Sequence, residues 1–232
     1  MIRKVLEAML LVFAVAAIDL SSVHAGEPPG KPERDQVVKF LRDKVIGKTL
    51  ETKSTSQIAN GKVEAVFEAR RTFSSLVKTN EGFTFDILIA IKQTNYDMDD
   101  QGNRIGASHK KNRTYVSRYL VGEKLSTGEL IGTEVDVFSS DPDAYPYTPM
   151  VVRMGIEGDA LLMDVDTVLY QDFYGKDDRF TPGALEIRYE FRTDKGRLVA
   201  RQTTRAYDVD PKTLERRLQT QPRPVEVLRQ VD

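Results

Sequence analysis

In the segment ALEIRYEFR, residues 184–192, Leu185, Ile187, Tyr189 and Phe191 alternate with Glu186, Arg188, Glu190 and Arg192. Successive side chains of a strand point to opposite faces, so this period of two specifies a strand with one face in a core and the other in water. The segment FTFDILIAI repeats the pattern, with Phe83, Phe85, Ile87, Ile89 and Ile91 on one face. Short glycine-bearing links separate such runs and supply the positive φ that hairpins need. Asn60-Gly61 suits a two-residue type I′ turn, and Glu157-Gly158-Asp159 is another tight link. Asn80-Glu81-Gly82, Ser126-Thr127-Gly128 and Asp194-Lys195-Gly196 read as three-residue loops with Gly in the left-handed position. The links predict strands over 48–59, 62–78, 83–97, 112–125, 129–139, 149–156, 160–172, 183–193 and 197–208.

About nine strands joined mostly by hairpins make an antiparallel meander. Closing on itself as an up-and-down barrel removes the meander's two exposed edges. The expected fold is therefore all-β, an up-and-down barrel, with a curled sheet or a sandwich as alternatives. The longer links at 140–148 and 173–182 have room for crossovers. A short helix precedes the meander: Val37, Val38, Leu41 and Val45 recur at helical spacing within residues 33–47, and Gly47 suits the C-terminal cap. Asp210 and Pro211 can start a short C-terminal helical turn, with Leu214 and Leu218 on one face. A helix leading into Gly47-Lys48-Thr49 and a meander resembles the opening of the calycins, the lipocalins and fatty-acid-binding barrels. Those barrels carry a Gly-x-Trp where this chain has Thr49, and the chain has no Trp. The likeness is one of architecture and implies no functional residue.

The first residues bear on location. Arg3 and Lys4 precede an apolar run from Ala8 to Ile18, too short to span a bilayer, and Val23-His24-Ala25 then leads into GEPPGKPE. This order matches a secretory signal cut after Ala25. The expected organisation is a signal peptide over 1–25, a linker over 26–32 and a single β domain over 33–232. Export to the periplasm or the medium follows, with no transmembrane segment after cleavage. The chain has no Cys, so the domain is held together without disulfides. Its formal net charge is -1, because Lys+Arg and Asp+Glu nearly cancel, which gives no field for nucleic acid.

With cleavage removing His24, only His109 remains, in the basic stretch ASHKKNR. Triads built on Cys or paired His and the commoner zinc sites then lack their groups. The carboxylate pairs Asp141/Asp143, Asp164/Asp166 and Asp208/Asp210 read more simply as loop, strand-face and capping residues, and no catalytic residue is assigned. Asp97, Asp99 and Gln101 begin a D-x-D-x-x-G that resembles a calcium loop, but Gln101, Arg104 and Ser108 stand where an EF-hand wants Asp or Asn, an apolar residue and Glu. A polar hairpin tip is the main reading there, and a calcium site the alternative.

Two features point to binding. The long links carry aromatic groups, Tyr145 and Tyr147 in one, Phe173 and Tyr174 in the other, that suit a rim at one end of the sheet. The final predicted strand puts Leu198, Ala200, Gln202, Thr204 and Ala206 on one face, small and partly polar where a filled core wants bulk. If that face points inward, Gln202 and Thr204 line a cavity. The sequence thus points to an exported, non-enzymatic protein binding a small or amphiphilic ligand, without a cofactor. An envelope-associated interaction module and a carboxylate-dependent hydrolase are the alternatives. Ligand identity and oligomeric state are not legible.

Overall fold

A computed structural model describes residues 34–58, 62–124, 127–140, 150–171, 181–210, 212–219 and 225–231. Helix α1 (Arg34–Phe40) runs into a π-helical turn (Leu41–Val45). Eleven strands follow: β1 (Thr49–Ile58), β2 (Val63–Lys78), β3 (Gly82–Met98), β4 (Arg104–Glu123), β5 (Leu130–Ser139), β6 (Met150–Glu157), β7 (Ala160–Gln171), β8 (Thr181–Asp194), β9 (Arg197–Val209), β10 (Arg216–Leu218) and β11 (Glu226–Val231). From β1 to β9 each strand pairs antiparallel with the next, so the long links carry no crossover.

Closure comes from the C-terminus. β11 pairs with β9 on one side, Leu228 opposite Ala200, and with β1 on the other, Leu50 opposite Gln230, to complete a closed 10-strand antiparallel barrel. β10 extends the same edge of β9, Arg217 opposite Asp208. Both strands lie beyond the region where the alternation was readable. β11 sends Glu226, Leu228 and Gln230 inward, so its inner face is mostly polar and imitates an outer face.

The sequence boundaries differ most at β4, which begins at Arg104 rather than 112, because its first half is polar on both faces and shows no alternation. Asp194 and Arg197 flank a two-residue link, Lys195-Gly196, with φ 49° and 80°, rather than a three-residue loop. Gly82 is not left-handed. It opens β3 where a Cβ would lie 2.0 Å from the Val121 carbonyl oxygen, so close strand approach is what requires glycine there. Gly47, Gly128 and Gly158 do have positive φ, while Asn60-Gly61 lies outside the described residues. At the C-terminal side, the Asp210 carboxylate accepts from Lys212 and Thr213 backbone N–H groups at 2.7 and 3.0 Å. The Leu214 N–H reaches the Asp210 carbonyl to close one helical turn, after which the chain returns to strand.

The core fills one end of the barrel. Val37, Val38, Leu41 and Val45 pack among Leu50, Phe73, Phe83, Phe85, Leu130, Leu161, Phe191 and Leu228, so the helix plugs the end at which the β2–β3, β4–β5, β6–β7 and β8–β9 links lie. Asp35 accepts from Lys78 at 2.7 Å, and Arg34 donates to the Asn80 carbonyl, anchoring the plug to the β2–β3 link. Ion pairs cover the outer face of β7, β8 and β10: Asp164 takes Arg188 bidentately at 2.7 and 2.9 Å, and Arg216 reaches both Asp166 and Glu186. No helix of the described residues is long and apolar enough to cross a membrane.

Candidate functional site in the upper lumen

Moving up the inner face of β3 from the plug, Phe83, Phe85 and Ile87 are buried, but Ile89, Ile91, Gln93 and Asn95 on that same face are only half-buried. β9 changes likewise, from buried Leu198 and Ala200 to half-buried Gln202 and Thr204, before Ala206 is buried again. The lower lumen is therefore filled by side chains, and above it the inward rows of β3 and β9 are only partly covered. Pairing registers put Ile89 beside Arg71 and Tyr115, Ile91 beside Arg113, and Gln93 beside Lys111, all facing in. On the opposite wall Tyr189 lies beside Gln202, and Ile187 beside Thr204.

A polar cluster sits where the filled and the partly covered halves meet. Tyr119 stacks on Phe85, ring centroids 4.8 Å apart, and Tyr189 stacks on Phe191 at 6.0 Å, so both hydroxyls cap aromatic columns rising from the floor. Burial pushes the Tyr119 hydroxyl well above the ordinary phenol range, and the Glu134 carboxylate, which accepts its proton in a hydrogen bond, pushes the same way. Burial also raises Tyr189, while the Arg71 guanidinium beside it acts in the opposite direction. Arg71 donates from Nη2 to Gln202 Oε1 at 3.4 Å, and Gln202 donates onward to the Thr204 hydroxyl, also at 3.4 Å. The Nη1 atom of Arg71 is enclosed with no hydrogen-bond partner. The Nε atom of Arg113, on the same lumen, is likewise enclosed without a hydrogen-bond partner, and donors converging in this way suit an acceptor group.

Gln202 and Thr204 thus lie on the lumen side, Gln202 bonded to Arg71 and Thr204 to Gln202. Tyr145, Tyr147, Phe173 and Tyr174 lie outside the described residues, although the strand ends flanking them, Ser139, Met150, Gln171 and Thr181, are all at the open end. Asp99 is occupied at the β3–β4 turn, accepting from the backbone N–H groups of Asn103 at 2.7 Å and Gln101 at 2.9 Å, with the Asn103 backbone bond chiefly holding its carboxyl below the usual range. Asp97 and Gln101 are exposed, and among the described residues no three His, Asp or Glu side chains are grouped to hold a metal ion. Asp164 and Asp166 face outward into ion pairs, Asp208 accepts from Gln219, and Asp141 and Asp143 lie outside the described residues.

Sequence reasoning missed Arg71, Tyr119 and Glu134 as site residues. Parity offers a signal for Arg71: it is the one charged residue in the inward row Ala65, Phe67, Ala69, Arg71, Phe73. Comparison with protein-family models, with curated proteins and with solved structures returns no match.

Proposed function

We propose that the protein is an exported, non-enzymatic binding barrel that takes a small or amphiphilic ligand into its upper lumen from the open end. The observation that supports this reading is the change in burial along a single face of β3, from packed Phe83, Phe85 and Ile87 to half-buried Ile89, Ile91 and Gln93. Ile91, and Ile89 where it rises from the edge of the core, face inward and are only partly covered, which is what a ligand with apolar surface would complete. Export rests on the basic, apolar and cleavage-like order of residues 1–25.

Native mass spectrometry of protein isolated without refolding from its own host tests the binding reading. A retained small molecule supports it, and an empty barrel with no small-molecule adduct counts against it. N-terminal sequencing of the same material tests export, with Gly26 the expected first residue.

The outer face favours a second reading. Leu88, Val116 and Phe138 lie side by side across β3, β4 and β5, and Phe138 and Val137 are 52% and 51% exposed. Such a patch suits an envelope-associated interaction module. Crosslinking from Phe138 to one envelope protein, with the lumen empty, would favour this alternative.

A further inference from the structure

We infer that the upper lumen receives an oxyanion head, a carboxylate carried on an apolar body, and that Arg71 is the group that binds it. This rests on the lumen-binding reading above. Arg71 projects from β2 between Ala69 and Phe73, a row otherwise apolar, so the chain places a permanent cation just above a hydrophobic floor. Its Nη2 makes one long bond to Gln202, its guanidinium lies beside the Tyr189 hydroxyl, and no carboxylate of the described residues pairs with it. Nη1 is enclosed and unpartnered. A buried donor without an acceptor is unfavourable, and a charged one more so. A carboxylate accepts two parallel bonds from a guanidinium fork and neutralises its charge, which a hydroxyl or amide head cannot do.

The surrounding groups agree with that polarity. Lys111 and Arg113 face the lumen from β4 above Arg71, each already engaged by neighbouring groups. Of the lumen carboxylates, Glu134 accepts from Tyr119, and Glu226 lies opposite Gln202. Because Phe83, Phe85 and Leu161 fill the floor, the head must point down to Arg71 and the body up, along the half-buried Phe67, Ile89, Ile91 and Ile187.

The experiment uses Nile red, an uncharged dye, as the lumen reporter, displaced by decanoate or by decanol. For the unmodified protein decanoate should displace the dye about tenfold or more better than decanol. Arg71→Met should weaken decanoate by about tenfold to a hundredfold while leaving decanol within about twofold, and Arg71→Lys should fall between. Circular dichroism confirms that each variant is folded, and Arg71→Gln serves if Arg71→Met is not. Equal displacement by both compounds, unchanged in the Arg71 variants, would overturn the oxyanion inference while leaving the binding reading intact. Failure of the dye and of both compounds to bind would overturn the two together.

Discussion

Gly132 shows how tightly single residues are set in this barrel. It pairs with Val121 across β5 and β4, and a Cβ there would lie 2.0 Å from the Leu120 carbonyl oxygen, a backbone atom that cannot swing away. Gly132→Ala should therefore lower stability by about 1–3 kcal/mol, as overpacking does, read from the urea midpoint at unchanged slope. Asp86 is a second such residue. It is buried on the outer wall and accepts both Arg118 bonds, at 2.7 and 2.9 Å. Those bonds hold its carboxyl below the usual range, so the folded state favours the charged form. The stabilisation is present above the unfolded carboxyl value of about 4 and is lost as pH falls through the lower, folded value. The stability difference between the unmodified protein and Asp86→Asn, measured by urea titration, should be largest near pH 7 and shrink below about pH 4.

At the scale of the element, β11 has more consequence than its six residues suggest. It is the only described strand that pairs with both β1 and β9, so without it two edges face each other unbridged. Leu228, 1% exposed, also leaves the core with it. A chain ending at Gln219 should lose its cooperative thermal transition and bind the surface dye 1-anilinonaphthalene-8-sulfonate, whereas a barrel closed by β1 and β9 alone would melt as before. The helix illustrates the opposite case. Val37, Val38, Leu41 and Val45 were legible as one apolar face because their period is local, even though Leu41–Val45 adopts the wider π turn.

At the scale of the whole molecule, the division of the lumen into a filled lower half and a partly covered upper half is the property on which the proposed binding rests. The chain has no Cys, so single cysteines report on it without background. Ile91→Cys, in the upper lumen, should react with N-ethylmaleimide in the native protein, and Leu161→Cys, 0% exposed in the floor, should react only after unfolding. Equal protection of the two would mean that the upper lumen is closed.

The alternation of apolar and polar residues determined the nine-strand meander, its hairpin order and the inward face of β3 and β8, because the strand pleat is a local property that writes itself directly into a period of two. It determined that Gln202 and Thr204 share the face of Ala200 and Leu198. Only the tertiary structure decided that β11 closes the ring and how far up the lumen packing extends. It alone brought Arg71 to Gln202, 131 residues away in sequence, against tyrosines from two other strands. Closure and filling depend on long-range partners and on the volume those partners enclose, neither of which any stretch of sequence carries by itself.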